Sequence, residues 1–118
     1  ILRKSYGGAY IAMASKHLDA DVKYAWPGAA IAVMAGTQAV NIINRREIQN
    51  AEDPEAERQR LIADYRKRLE HPYIAAAKGY IDDVIDPVET RTKIAHALEM
   101  LRTKSTPVLP KKHGNMPL

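Results

Sequence analysis

Apolar and polar positions along the chain first suggest a strand, a tight turn and a helix. Residues 1–5 read as a short strand running into Gly7-Gly8, after which Tyr10, Ile11, Met13, Ala14 and His17-Leu18 recur at helical spacing. Asp19-Ala20-Asp21 breaks that pattern. Val22, Tyr24 and Trp26 then alternate with smaller or polar residues up to Pro27-Gly28, as in a half-buried strand ended by a turn. The apolar run from Ala29 to Met34 predicts a neighbouring strand.

Beyond Ala35-Gly36, Val40, Ile43 and Ile48 fit a single helix that ends near Gln49-Asn50. Asp53-Pro54 announces the next helix, with Asp as N-cap, Pro at the first helical position and Glu55 and Glu57 near the positive end of the dipole. Its buried stripe is Leu61-Ile62, Tyr65 and Leu69, and its arginines and lysines face outward. His71-Pro72 stops it, because the residue before proline avoids the helical region. Tyr73 to Lys78 predicts a further helical turn closed by Gly79, and Tyr80 to Ile85 a short strand. Asp86-Pro87-Val88-Glu89 opens the last helix with a capping box, and Ile94, Leu98 and Leu101 supply its apolar face. The tail from Thr106 to Leu118, with three of the seven prolines, predicts extended chain. The pattern is mixed α/β, with too few strands to close a sheet.

Length and composition narrow this picture. A chain of 118 residues is enough for one small domain with at most one function-bearing core. It opens Ile1-Leu2-Arg3-Lys4, without a methionine or the succession of a secretory signal, so it is expected to lie within a longer polypeptide. No apolar run approaches the roughly 20 residues of a membrane-spanning helix. The absence of cysteine removes disulfides, zinc-thiolate sites and thiol nucleophiles, and suits a reducing cytoplasm or organelle matrix. The net charge of +4 is spread among interspersed acidic and basic residues, apart from Lys111-Lys112-His113, which predicts solvated helix faces and no nucleic-acid partner.

Gly7-Gly8-Ala9 is the stretch with a claim on chemistry. Amides at a helix start have no intrahelical acceptor, and glycine removes the Cβ that would keep a ligand away. Such amides can form an oxyanion hole for a carbonyl oxygen as it becomes an enolate. The same pattern suits a plain glycine turn between packed elements, and the residues leave both readings open. No Rossmann fingerprint or Walker motif is present. His17, His71, His96 and His113 lack metal-ligand spacing, Asp82-Asp83 on a strand would point to opposite faces as salt-bridge partners, and neither Ser5 nor Ser15 sits in a nucleophile elbow. Tyr24, Trp26 and Pro27 suit core as well as a pocket wall, and Met13 and Met34 suit gap-filling.

The segments RKSYGGAYIAMASKHLDADVKYAWPGAAIAVM, NIINRREI, HPYIAAAKGYIDDVIDPVETR and KKHGNMPL, taken in order, resemble the carboxyl-terminal end of the carboxyltransferase β subunit of biotin-dependent acyl-CoA carboxylases, of the propionyl-CoA carboxylase type. The resemblance covers the whole chain. It implies a crotonase-like (ClpP/crotonase) superhelix of ββα units, with residues 1–105 as the C-terminal part of the second carboxyltransferase domain and 106–118 as an extended tail. It also implies a homo-hexamer of β subunits with sites between domains of different subunits, served by a biotin carboxylase and a biotin carboxyl carrier.

By position, the resemblance gives Gly8 and Ala9 the amides of an oxyanion hole facing carboxybiotin, Gly7 the turn, and Tyr10 and Ile11 places beside the substrate. The reaction it implies moves the carboxyl group from carboxybiotin to the α-carbon of an acyl-CoA thioester. The amides hold the ureido oxygen as it gains negative charge, and biotin's nitrogen takes the α-proton. Many propionyl-type members carry Asp where this chain has Ile11, which leaves room for acetyl-CoA or a broader acyl range. Decarboxylase and transcarboxylase subunits share the motifs, so the direction of transfer stays open. A non-catalytic assembly module is the reading from a different class.

Overall fold

A computed structural model describes residues 1–13, 15–107 and 110. Most of the tail, including Lys111-Lys112-His113, therefore lies outside the described residues. The first strand, β1 (Lys4–Tyr6), continues directly into α1 (Gly7–Ala12), so the glycines open the helix. The expected helix to Leu18 is two pieces. α1 stops at Ala12, and a separate 3-10 turn, Lys16–Leu18, forms where the buried Ser15 hydroxyl accepts from the His17 amide at 3.2 Å. Asp19 then takes a left-handed conformation that turns the chain.

The next strands are β2 (Tyr24–Ala25) and β3 (Ala30–Ala32). They are close in sequence but do not pair with each other. β3 runs parallel to β1, in register Ser5 with Ile31, and β2 runs parallel to β4 (Asp83–Val84). The expected six-residue strand at 80–85 is thus two residues long. Its alignment is extended by the Asp82 amide donating to the Lys23 carbonyl and the Ile85 amide to the Ala25 carbonyl, each at 2.9 Å. Asp82 and Asp83 pair outward with Lys23 at 3.4 Å and Lys93 at 3.0 Å, as their opposite faces require.

The helix expected across 36–50 is α2 (Gly36–Ile43) and α3 (Arg45–Asn50), divided at Asn44. Asn44 leaves helical geometry (φ −104°, ψ 19°), and its amide side chain donates to Glu47 at 2.7 Å. A short polar side chain bonding locally competes with the helical ladder in this way. α4 (Pro54–Leu69) begins as its signal predicts, with Asp53 accepting from the Glu55 and Ala56 amides. Of its expected stripe, Leu61 and Ile62 are buried and Leu69 is 48% exposed. α5 (Pro72–Ala77) follows, ended by Gly79 at φ +70°. The Asp86–Glu89 capping box closes on a 3-10 turn that leads into α6 (Thr90–Leu101).

Two small cores result. Ala25, Ala29, Ala75 and Ile81 pack under the strands, and Val40, Leu61 and Ile62 join α2 to α4. The radius of gyration, 19.0 Å, exceeds the about 13.5 Å of a compact chain of this length, so the buried residues carry a disproportionate share of stability. On the apolar face of α6, Ile94 and Leu98 stay open to solvent and, with Trp26 and Ile85, line a groove of about 300 Å³. Ile85→Ala, at a position 2% exposed, is expected to cost about 3 kcal/mol in denaturant unfolding.

Candidate active site

The site is built at the turn from β1 into α1. Tyr6 ends the strand in extended conformation (φ −118°, ψ 137°) and makes no side-chain bond to the helix it starts. Gly7 follows at φ +53°, and a Cβ there would lie 2.9 Å from the Val33 carbonyl oxygen. Both its conformation and the close passage of the β3–α2 connection therefore require glycine. Gly8 differs: its φ is not positive, and a Cβ built on it would meet nothing within 4 Å. The fold needs the first glycine, and the second leaves bare backbone facing open space.

The amides of Gly8 and Ala9 lie in the first turn of α1, where no intrahelical acceptor exists and no side chain caps the start. Both residues are exposed. Ala9 also lines a cavity of about 710 Å³, with Tyr10, Ser5 and Tyr24 on its wall. Arg3, Lys4 and Lys23 line it too, and no acidic side chain among the described residues does. Lys23 is already engaged by Asp82 and by the Ala20 carbonyl, so Arg3 and Lys4 are the cations left to face a ligand.

Of the other expected site residues, Tyr10 has an internal partner. Its hydroxyl donates to the Tyr80 carbonyl at 3.1 Å, its ring meets His17 edge-on, and burial raises its pKa, with Tyr80 adding to the effect. Ile11 is 45% exposed and lies off the cavity wall. No group of three or more His, Asp or Glu among the described residues could hold a metal ion.

One residue was not legible from the sequence. Glu70 follows α4, 6% exposed, and its carboxylate accepts from the Gly36 amide at the start of α2 and from the Tyr6 hydroxyl at 3.3 Å. Arg66 approaches to 4.0 Å. Desolvation first, and then the charge of Glu70, push the Tyr6 phenol above its ordinary value, so it stays a donor at neutral pH. In the sequence Glu70 looks like the end of a charged surface helix, and nothing local marks it as buried.

The carboxyl transferase domain model matches residues 1–116. The chain is 54% identical over 118 residues to the carboxyltransferase subunit of propionyl-CoA carboxylase from Haloferax mediterranei, covering 100% of this chain and 23% of that protein. It is 54% identical over 117 residues to the methylmalonyl-CoA carboxyltransferase 12S subunit of Propionibacterium freudenreichii subsp. shermanii, covering 99% and 22%. A transcarboxylase 12S crystal structure, described as a hexamer assembly with methylmalonyl-coenzyme A and methylmalonic acid bound, superposes with a TM-score of 0.88 at 54% identity, over 99% of this chain and 22% of the other. The chain thus spans less than a quarter of the length of these relatives.

The two glycines separate in their expected effects on folding. Gly7→Ala is expected to lower stability by about 2 kcal/mol through backbone strain and the Val33 contact, while Gly8→Ala changes it by less than about 1 kcal/mol. Thermal unfolding of both variants reads the difference.

Proposed function

Because the chain belongs to the carboxyl transferase domain family, we propose that it supplies the biotin side of an acyl-CoA carboxyltransferase site, with the Gly8 and Ala9 amides as the oxyanion hole. Its fold is the mixed α/β, crotonase-like arrangement expected from the resemblance. The observation that carries the functional reading is the open space over Gly8 beside a glycine that the fold does require.

Carboxybiotin, when bound, supplies the carboxyl group and a ring nitrogen that serves as base for the α-proton of the thioester. The residues fit that group: two amides without intrahelical acceptors, no Cβ in the way, and cations rather than carboxylates along the adjoining cavity. Gly8 and Ala9 donate to the ureido oxygen as it gains negative charge. Preorganised donors aimed at developing charge are typically worth about 3 kcal/mol each. The Gly7 turn holds the two amides in place, and Tyr10, fastened to Tyr80, steadies the helix behind them.

The acceptor is a short-chain acyl-CoA, propionyl-CoA or acetyl-CoA, giving methylmalonyl-CoA or malonyl-CoA, with Ile11 compatible with both. Equal identity to a propionyl-CoA carboxylase subunit and to a methylmalonyl-CoA carboxyltransferase supports transcarboxylation as a second reading of the direction. Residues 1–105 form the C-terminal part of the second carboxyltransferase domain in a homo-hexamer that works with a biotin carboxylase and a biotin carboxyl carrier. Exposed Val33, Ile42, Ile43, Leu98 and Met100 support packing against more of the subunit. The setting is cytoplasmic, or the mitochondrial matrix in a eukaryote.

The test exploits the space over Gly8. In the full-length subunit, Gly8→Val is expected to cut carboxyl transfer at least about tenfold with the hexamer and its melting temperature kept, because the side chain closes the approach to the amides without meeting the protein. Ala9→Pro, which deletes one donor, is expected to cost about a hundredfold. Wild-type transfer by both variants in an intact hexamer would remove the oxyanion role.

A further inference from the structure

α1 is six residues long and none of them is fully buried, so packing alone holds it weakly. A helix this short is not stable on its own. Besides the close passage of Gly7 against Val33, two phenols tether it from opposite ends. Tyr10 donates to the Tyr80 carbonyl, and Tyr6, immediately before Gly7, donates to Glu70. The Glu70 side chain is 7% exposed, and a buried carboxylate is tolerated only when its oxygens have partners. Here they are divided between two turns: one oxygen takes the Gly36 amide where β3 leads into α2, and the other takes the Tyr6 hydroxyl where β1 leads into α1. The Glu70 backbone carbonyl also accepts from Ile31 of β3 at 3.0 Å, so the residue that holds Tyr6 is itself held by the paired strand.

We infer that Glu70, acting through the Tyr6 hydroxyl, is a positioning residue for the Gly8 and Ala9 amides, an inference that rests on the biotin-side reading above. Neither side chain touches a reacting atom. Their action is geometric: donors displaced by about 1 Å from a developing oxyanion lose as much as about a hundredfold in rate, and Tyr6 is two residues from Gly8. An apolar pair could fill the same space, but it would not tie two separate strand-to-helix turns to one point. The tie acts on the biotin side and leaves acyl-CoA binding to other parts of the site.

The experiment compares Tyr6→Phe, Glu70→Gln and Glu70→Ala in the full-length hexameric subunit. Tyr6→Phe keeps the ring and loses the hydroxyl. It is expected to lower kcat for carboxyl transfer about tenfold with KM for acyl-CoA within about twofold. Without biotin or acyl-CoA present, hydrogen exchange in residues 6–13 is expected to quicken about tenfold while that of α4 stays unchanged. Glu70→Gln retains an acceptor for Gly36 and presents an amide to the Tyr6 oxygen, so it is expected to stay within about threefold of wild type, while Glu70→Ala falls at least as far as Tyr6→Phe. Wild-type kcat and exchange in Tyr6→Phe would overturn the inference, as would a loss confined to KM. If Glu70→Ala does not assemble, Tyr6→Phe and Glu70→Gln decide the matter between them. Full activity in both Gly8→Val and Ala9→Pro would instead defeat the biotin-side reading, and the exchange measurement would still report whether Tyr6 holds α1.

Discussion

The arrangement around the site depends on one buried carboxylate. Glu70 accepts from the start of α2 with one oxygen and from the end of β1 with the other, while its backbone carbonyl takes the Ile31 amide of β3. A charge withdrawn from water at this point is stabilised by directed donors rather than by its surroundings. The carboxylate's donors come from two elements and the carbonyl's from a third, so these polar bonds join α2, β1 and β3 at one residue. The elongated shape makes the point sharper, since β1 and β3 pair over only three residues.

That economy explains why the catalytic candidate is backbone. α1 has no fully buried residue, and Gly8 and Ala9 are exposed, yet their amides are held by a left-handed turn packed against Val33 and by phenol bonds on either side. A side chain at the same place would bring rotamer freedom that so little packing could not restrict. An amide is fixed as soon as its turn is fixed. Neighbouring glycines therefore have opposite relations to the protein: Gly7 is demanded by contacts within the chain, and Gly8 is not, since a Cβ there would meet open space.

How much of this could be read from the residues depended on the range of the interactions. Local signals were legible. Asp53-Pro54 and the Asp86–Glu89 box start helices where they stand, since a cap and its amides lie within three residues. Glycine at a strand-to-helix turn was legible as candidate chemistry, and the resemblance supplied its assignment. The β1–β3 and β2–β4 pairings were not, because nothing in Ala29 to Met34 says that its partner is β1 and not the nearer β2. Asn44 reads as one polar residue inside a helical pattern, and only its bond to Glu47 shows it dividing α2 from α3. Ile94 and Leu98 follow the helical period, but periodicity names a face without saying what covers it. Glu70 was hidden most completely, for its partners Gly36 and Tyr6 lie 34 and 64 residues away.

Those separations bear on the order in which the molecule is made. On a ribosome, β1 and the glycine turn emerge ahead of the rest of this stretch, and β3 can pair with β1 once residue 32 is free. The phenol of Tyr6 waits for Glu70, and β2 waits longer still for β4 at residue 83. Contacts between distant residues form late, since the intervening chain must first be brought to closure. The backbone that would hold the ligand is therefore translated ahead of the carboxylate that ties it, so a chain arrested before residue 70 would carry the glycine turn without the clasp that steadies it.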